Sequence, residues 1–377
     1  MSIATTITSD RKTKINAGII GATGMVGQRF IELLAEHPYF NISVLAASPK
    51  SAGKKYHEAV GGRWKMSGPI PSNVRNMVVF DAMDVEKVAS LCDFVFCAVE
   101  IPGGTKDDII NLEEAYAKAE IPVVSNNSAC RGVADVPMLI PEINASHTQI
   151  IESQKKRLGT TRGFIVVKSN CSLLSYVPML TPLLGFGLSH AVVSTYQSIS
   201  GASKTFDEMP EMIDNVIPYI GGEEEKSECE PLKIWGEVST PDGVIINAKG
   251  PLVTSQCVRV PVTDGHLAAV FIKFEGTSLS KEEILKLWRE FKGEPQILGL
   301  PSAPSQFIRY FEEQDRPQTK LDRYLENGMA VSAGRLRKDT SGIFDYKFIG
   351  LSHNTLRGAA GGGVLAAELL YRQGYLG

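Results

Sequence analysis

At 377 residues the chain is too long for one ordinary domain, so two are expected, and with 43% hydrophobic and 21% charged residues it can bury a sizeable core. A formal net charge of −3 offers no clustered basic surface for nucleic acid, and no apolar run approaches the roughly 20 residues that span a membrane. The six cysteines, at 92, 97, 130, 171, 229 and 257, include no CxxC pair; no metal site is expected, and the setting expected is reduced and cytoplasmic.

Residues 1–14 are Ser/Thr-rich and basic at their end, which predicts a flexible tail, with a short mitochondrial presequence as the alternative. Ile15–Ile20 is an apolar run ending in a glycine turn and predicts a buried strand. Met25–His37 predicts a helix, because Val26, Phe30, Leu33 and Leu34 share one face and Pro38 ends it. Strands are predicted at Asn41–Ala47, Phe94–Val99 and Ile121–Ser125, with a helix at Asp107–Ala119 between the last two. Strands alternating with helices predict an α/β, doubly wound parallel sheet.

Beyond about residue 160 the pattern changes. Phe164–Lys168, Ala191–Ser198, Val253–Val262, Leu267–Phe274, Ala330–Arg335 and Tyr346–Leu351 read as strands with fewer helices between, which predicts an α+β domain on a mixed or antiparallel sheet. Gly358–Arg372 reads as a helix weakened by Gly361–Gly363, so close packing on another element is expected there. The charge run Glu223–Lys226 is most simply a solvated loop or helix start. The division expected is 15–168 with 353–377 as a nucleotide-binding domain and 169–352 as a catalytic and oligomerisation domain.

The turn after the first strand is Gly21-Ala22-Thr23-Gly24-Met25-Val26-Gly27. Phosphates need a tight turn, bare backbone and a helix N-terminus aimed at them; Gly21 and Gly24 supply the first two, and the helix beginning at Met25 the third. NAD-binding units carry an acid at the end of the second strand for the ribose hydroxyls. Here that stretch holds Ser48, Lys50 and Ser51, with no acid between Glu36 and Glu58, which favours the 2′-phosphate of NADP. A glycine-rich turn without a ligand is the bland alternative.

Cys171 sits in Ser169-Asn170-Cys171-Ser172, directly after an apolar strand, where a turn into a helical segment can expose a thiol and lower its pKa. Pro178 and Pro182 must bend or shorten that segment. Most cysteines are packed core residues, and Cys92 and Cys97 suit that description; Cys171 differs in its polar neighbours. His266 follows Gly265 at the head of a strand, where a ring held rigidly can exchange protons near neutral pH. Arg259 lies seven residues earlier, and its guanidinium matches a carboxylate. Without Cys171, His266 would read as an ordinary turn histidine.

Gly21–Gly27, Ser169–Ser172, Gln197–Ala202, Arg259–His266 and Ser352–Thr355, in this order and spacing, resemble the aspartate-semialdehyde dehydrogenase family, in particular its fungal and archaeal branch. The likeness runs from about Asn16 to the C-terminus. It implies a Rossmann-type domain joined to a catalytic domain of the glyceraldehyde-3-phosphate dehydrogenase type, and NADP-dependent, reversible reduction of aspartyl 4-phosphate to the semialdehyde through a cysteine thioester. It further implies Cys171 as nucleophile, His266 as general acid/base and Gln197 as the residue orienting the substrate. Arg259 would bind the substrate carboxylate, Glu230 its amino group, and Arg131, Lys233 and Lys226 the phosphate, with Asn170 in the same set. Thr23 to Val26, Ser48, Ser51, Ser200, Gly201 and Asn354 would contact NADP, beside Gly21 and Lys50. Inorganic phosphate and further copies of the chain, as a homodimer or homotetramer, are the partners implied.

Three stretches depart from the family pattern: Ser203–Phe206 after the Gln motif, Leu173–Ser175 after the nucleophile, and Asn126–Arg131. Pro301–Ser305 and Arg357–Gly363 look more like archaeal malonyl-CoA reductase, so a paralogue acting on another acyl phosphate or an acyl-CoA is a second reading. A catalytically silent nucleotide-binding regulator is a third, opposed by the intact Cys171/His266 pair.

Overall fold

The computed structural model describes residues 14–276 and 278–377. All of the expected tail except Lys14 lies outside the described residues. The first sheet has seven strands: β1 (Ile15–Ile20), β2 (Phe40–Ala47), β3 (Val79–Asp81), β4 (Phe94–Cys97), β5 (Val123–Ser125), β6 (Met138–Leu139) and β7 (Ile165–Lys168). Their order is β3-β2-β1-β4-β5-β7-β6, and every pairing is parallel. The chain therefore reverses its direction of travel across the sheet between β1 and β4, which is where a doubly wound sheet opens a crevice at its strand ends. The strands read as unbroken apolar runs because both faces are covered: β4 is buried throughout, and Phe30 of the helix Met25–Leu34 stacks on its Phe96 with ring centroids 4.5 Å apart.

After β8 (Leu188–Gln197) and a two-stranded ribbon of β9 (Glu237–Ser239) and β10 (Val244–Ile246) come β11 (Leu252–Arg259), β12 (His266–Phe274), β13 (Ile308–Phe311), β14 (Val331–Lys338) and β15 (Tyr346–Ser352). Six of them form a mixed sheet in the order β11-β8-β12-β15-β14-β13, parallel only at its two edges. Side chains alternate along β8 and β12 between a buried face and a half-covered one. The register sets Arg259 beside Gln197 and His266 beside Ser352, so the polar strand ends gather at one rim.

The C-terminal helix runs Gly361–Arg372; the expected start at Gly358 is displaced because Leu356–Ala360 forms a wider π-type turn. The helix returns to the first sheet, where Val364, Ala367 and Leu370 join the core of Phe30, Phe94, Val124 and Val166. Its glycines permit that approach: a Cβ on Gly363 would stand 3.0 Å from the Phe30 ring. No helix among the described residues is long and apolar enough to cross a membrane.

Candidate active site

The crevice is built first from the turn after β1. Gly21 has φ +88°, and a Cβ there would lie 2.3 Å from the carbonyl oxygen of Ala98, so only glycine lets the turn pass this close to the end of β4. The helix at Met25 starts without a side-chain cap, leaving its first amides to a ligand. A cavity of about 480 Å³ opens there, lined by Gly21, Thr23, Gly24, Met25, Val26 and Ser48 on one side and by Arg63, Lys65, Ser203 and Lys204 around it. Lys65 spans the cavity, donating to the Ser203 carbonyl at 3.0 Å and to Glu208 at 2.6 Å. Lys50 is exposed, Ser51 is buried, and neither lines this space. The basic character expected of the second strand's end is supplied instead by Arg63 and Lys65, from one loop, and Lys204, from another.

A second cavity, of about 460 Å³, holds Cys171 together with Lys168, Asn170, Arg131, Glu223 and Lys226, and with Ser200, Gly201 and Asn354. It shares Met25, Val26, Ala98, Glu100 and Ser203 with the first, so the two adjoin. Cys171 begins a tight turn, Ser172–Ser175, followed by the short helix Val177–Leu180 with Pro178 in its first turn, the shortening foreseen from the prolines. The turn is pinned by Asn170. Its amide donates to Glu230 at 2.7 Å, its side-chain oxygen accepts from the Ser172 amide at 2.7 Å, and its Nδ2 donates to both oxygens of Glu223 at 3.0 Å. Gly358 abuts the nucleophile, where a Cβ would meet that of Cys171 at 2.8 Å. Cys92, in the turn before β4, and Cys97, on it, are core residues as expected.

His266, the first residue of β12, is completely buried, and its Nε2 lies 3.4 Å from Cys171 Sγ. The Ser198 amide donates to its Nδ1 at 3.1 Å, with the Ser198 hydroxyl 3.3 Å away. A ring nitrogen that accepts a peptide N–H carries no proton, so the neutral ring keeps its proton on Nε2, facing the sulfur. Burial, and next the charge of Arg259, push the imidazole pKa down to about 3, so the ring stays neutral at neutral pH. Burial and then Glu223 push the Cys171 thiol up, against the pull of Lys168, Arg131 and Arg259.

Gln197 ends β8 and donates to Thr195 at 3.2 Å and to Glu223 at 3.3 Å. Arg259 is 7% exposed and donates to the Ser198 carbonyl at 2.8 Å; Gly201 lies against it, since a Cβ there would be 2.9 Å from Nη1. Asn354 ties the site to the other domain face by donating to Ser200 Oγ and accepting from the Gly265 amide, both at 2.8 Å.

The charge run is the main correction. Glu223–Lys226 does start a helix, Glu223–Ile234, but Glu223 is buried and lines the cysteine cavity. Glu230, two turns further along the same helix face, has one oxygen on Arg131 Nη1 at 2.9 Å and the other on the Asn170 amide. Lys233 turns away and donates to the carbonyls of Arg131 and Val133 at 2.8 and 2.6 Å, fixing the loop that carries Arg131. Burial first of all holds the amine of Lys233 down to about 8. Glu223 and Lys168 were missed by sequence reasoning; the spacing Glu223-x-x-Lys226, repeated in Glu230-x-x-Lys233, was the available signal for the first.

Residues 16–151 match the model of the semialdehyde dehydrogenase NAD binding domain, and residues 180–357 that of the semialdehyde dehydrogenase dimerisation domain. By these matches the chain belongs to the semialdehyde dehydrogenase family. Within it, the chain is 41% identical over 368 residues to aspartate-semialdehyde dehydrogenase of Aspergillus fumigatus, covering 96% of this chain and 99% of that one. It is 41% identical over 359 residues to the enzyme of that name from Methanothermobacter thermautotrophicus, covering 94% and 99%. The crystal structure of aspartate semialdehyde dehydrogenase with NADP from Candida albicans superposes with a TM-score of 0.85 at 37% identity, over 96% of this chain and all of that one.

Proposed function

We propose that the chain reduces aspartyl 4-phosphate to aspartate 4-semialdehyde, reversibly and with NADP, through a thioester on Cys171. The observation that carries the reading is the pairing of Cys171 Sγ with His266 Nε2 at 3.4 Å, in a cavity that adjoins the phosphate-loop cavity. The likeness to the relatives above, one of them solved with NADP, supports it.

The residues present fit NADP. Gly21 to Val26 would take the pyrophosphate on bare backbone and free helix amides, and Ser48, Arg63, Lys65 and Lys204 would face the 2′-phosphate, Lys65 exchanging its ion pair with Glu208 for the phosphate. When bound, the nicotinamide supplies or accepts the hydride. The protein's own part is to hold the thiol, the carbonyl and the anions. The Cys171 thiolate attacks the acyl carbon, phosphate leaves, and a thioester remains. His266 Nε2–H, on a fully buried ring, donates to the oxygen that becomes charged at the tetrahedral stage. Collapse of this first adduct expels phosphate; once the thioester carbon has gained a hydride, collapse of the resulting hemithioacetal on Cys171 releases the aldehyde and returns the thiolate. Arg259 and Gln197 hold the substrate's carboxylate end, and Arg131 the phosphate.

Both glutamates have each oxygen engaged, but Glu223 lines the Cys171 cavity and Glu230 does not, which favours Glu223 as the partner of the substrate ammonium. Lys226 stands at the same rim, paired with Glu223 at 2.9 Å. Residues 15–168 with 353–377 form the NADP-binding unit of this reading, and 169–352 the catalytic unit, through which two or four copies associate in the cytoplasm. The decisive assay is oxidation of aspartate semialdehyde with NADP with and without inorganic phosphate, against reduction of malonyl-CoA with NADPH. Phosphate-dependent NADPH formation supports the reading, and turnover of the CoA thioester alone overturns it.

A further inference from the structure

We infer that Glu208 is a built-in competitor of the cofactor: its carboxylate holds the Lys65 amine until the 2′-phosphate displaces it, and the exchange loosens the grip of the NADP-binding unit on residues 203–208. The inference rests on the cavity beside the Gly21 turn as the NADP site. It gives a role to Ser203–Phe206, the stretch after the Gln motif that departs from the family pattern.

The backbone of Lys65 is fixed to the phosphate turn itself. Gln28, buried in the helix Met25–Leu34, accepts from the Lys65 amide at 2.7 Å and donates to the carbonyls of Thr23 and Arg63, both at 2.9 Å. Only the Lys65 side chain is left to choose a partner. Its three N–H donors are all taken, one by the Ser203 carbonyl at 3.0 Å and two by the Glu208 oxygens at 2.9 and 2.6 Å. A phosphate that reaches Lys65 must displace an acceptor, and the two carboxylate oxygens stand to the amine as two phosphate oxygens would.

Glu208 is aimed as well. Its Oε2 accepts from the Thr205 amide at 2.9 Å and the Thr205 hydroxyl at 3.3 Å, while its own amide donates to the Thr205 carbonyl at 3.2 Å. Of the cations lining the cavity, Arg63 donates to the carbonyls of Val60 and Ala59, and Lys65 alone is ion-paired among the described residues. The pair is open to water, with side chains 20% and 41% exposed, so it is held weakly and the released carboxylate rehydrates. A phosphate monoester carries close to two charges and outbids one carboxylate for the same amine. NAD brings no anion to that place and leaves the contact closed.

The test is a calorimetric titration of NADP, and separately of NAD, into the full-length protein, Glu208→Gln, Lys65→Met and the double variant. Glu208→Gln keeps the size of the side chain and an acceptor for the Thr205 amide but removes the charge. It should bind NADP about 2- to 5-fold more tightly, the range an exposed ion pair is worth, with NAD affinity unchanged. In the Lys65→Met background the same substitution should leave NADP affinity unchanged, because the competitor has lost its cation. Equal or weaker NADP binding in Glu208→Gln overturns the inference. An equal gain for NAD, or an equal gain without Lys65, also overturns it, since either makes Glu208 a general source of negative charge. Failure of the natural protein to bind NADP would instead overturn the cavity as the cofactor site.

Discussion

Both carboxylate oxygens of Glu223 accept from Nδ2 of Asn170 at 3.0 Å, so the residue just before the nucleophile is held by the helix that opens on the charge run. The same carboxylate reaches Gln197 and Lys226. Glu223→Ala removes a charged acceptor from three donors, worth about 1.5–3 kcal/mol for a charged hydrogen bond. We expect kcat/KM for aspartate semialdehyde to fall by at least ~10-fold, with NADP affinity unchanged. Steady-state kinetics with both substrates varied checks this, and equal losses for cofactor and aldehyde would assign Glu223 to the fold alone.

The basic rim of the first cavity predicts discrimination between cofactors. NADP should bind at least ~10-fold more tightly than NAD, one charge-assisted contact being worth about that ratio. Ser48→Asp should reverse the preference by placing a carboxylate where the 2′-phosphate is expected. Cofactor titrations of both proteins measure it, and equal affinity of the natural protein for NAD and NADP would be inconsistent with this cavity as the phosphate rim.

Arg259 is held by the Ser198 carbonyl and shielded by Gly201. If its fork grips the substrate carboxylate, Arg259→Lys should lose about 1–3 kcal/mol of kcat/KM on aspartate semialdehyde and much less on a semialdehyde without that carboxylate. Similar losses on both would make Arg259 a support for the Ser198 turn.

His266 also carries a stability prediction. Its folded pKa of about 3 lies below the ordinary 6.5, so as pH falls below about 6.5 the unfolded chain takes up a proton that the folded one refuses. Stability is therefore lost from pH 6.5 downward toward pH 3. His353, held to about 4 mainly by burial, adds a loss of the same sign. His266→Asn should show a smaller drop in urea midpoint between pH 7 and pH 4.5 than the natural protein; an identical drop would mean that the ring titrates freely.

What was legible in the chain follows the range of the signals. The Gly21 turn, the Cys171 turn and the His266 strand head are each written in a few adjacent residues, and the structure has them where the pattern puts them. The three-residue β3 and two-residue β6 are too short to leave a period in the sequence. Lys168 reads as the polar end of an apolar strand, and only packing shows that no carboxylate meets it. Arg63 and Lys65 lie far along the chain from Lys204 and meet it only through tertiary contacts, while Lys50, at the expected place in sequence, is exposed and does not line the cavity. The burial of Glu223 could not be read from Glu-Glu-Glu-Lys, because what decides it is Asn170 and Gln197, tens of residues away.

The central claim is that the acyl group passes through Cys171. Mixing the protein with aspartate semialdehyde and NADP in the absence of phosphate should produce a rapid burst approaching one NADPH per chain, and acid quenching should leave the acyl mass on the Cys171 peptide. Adding phosphate should discharge it. A burst of the same size in Cys171→Ala, or acylation of Cys130, Cys229 or Cys257 in place of Cys171, would contradict the account.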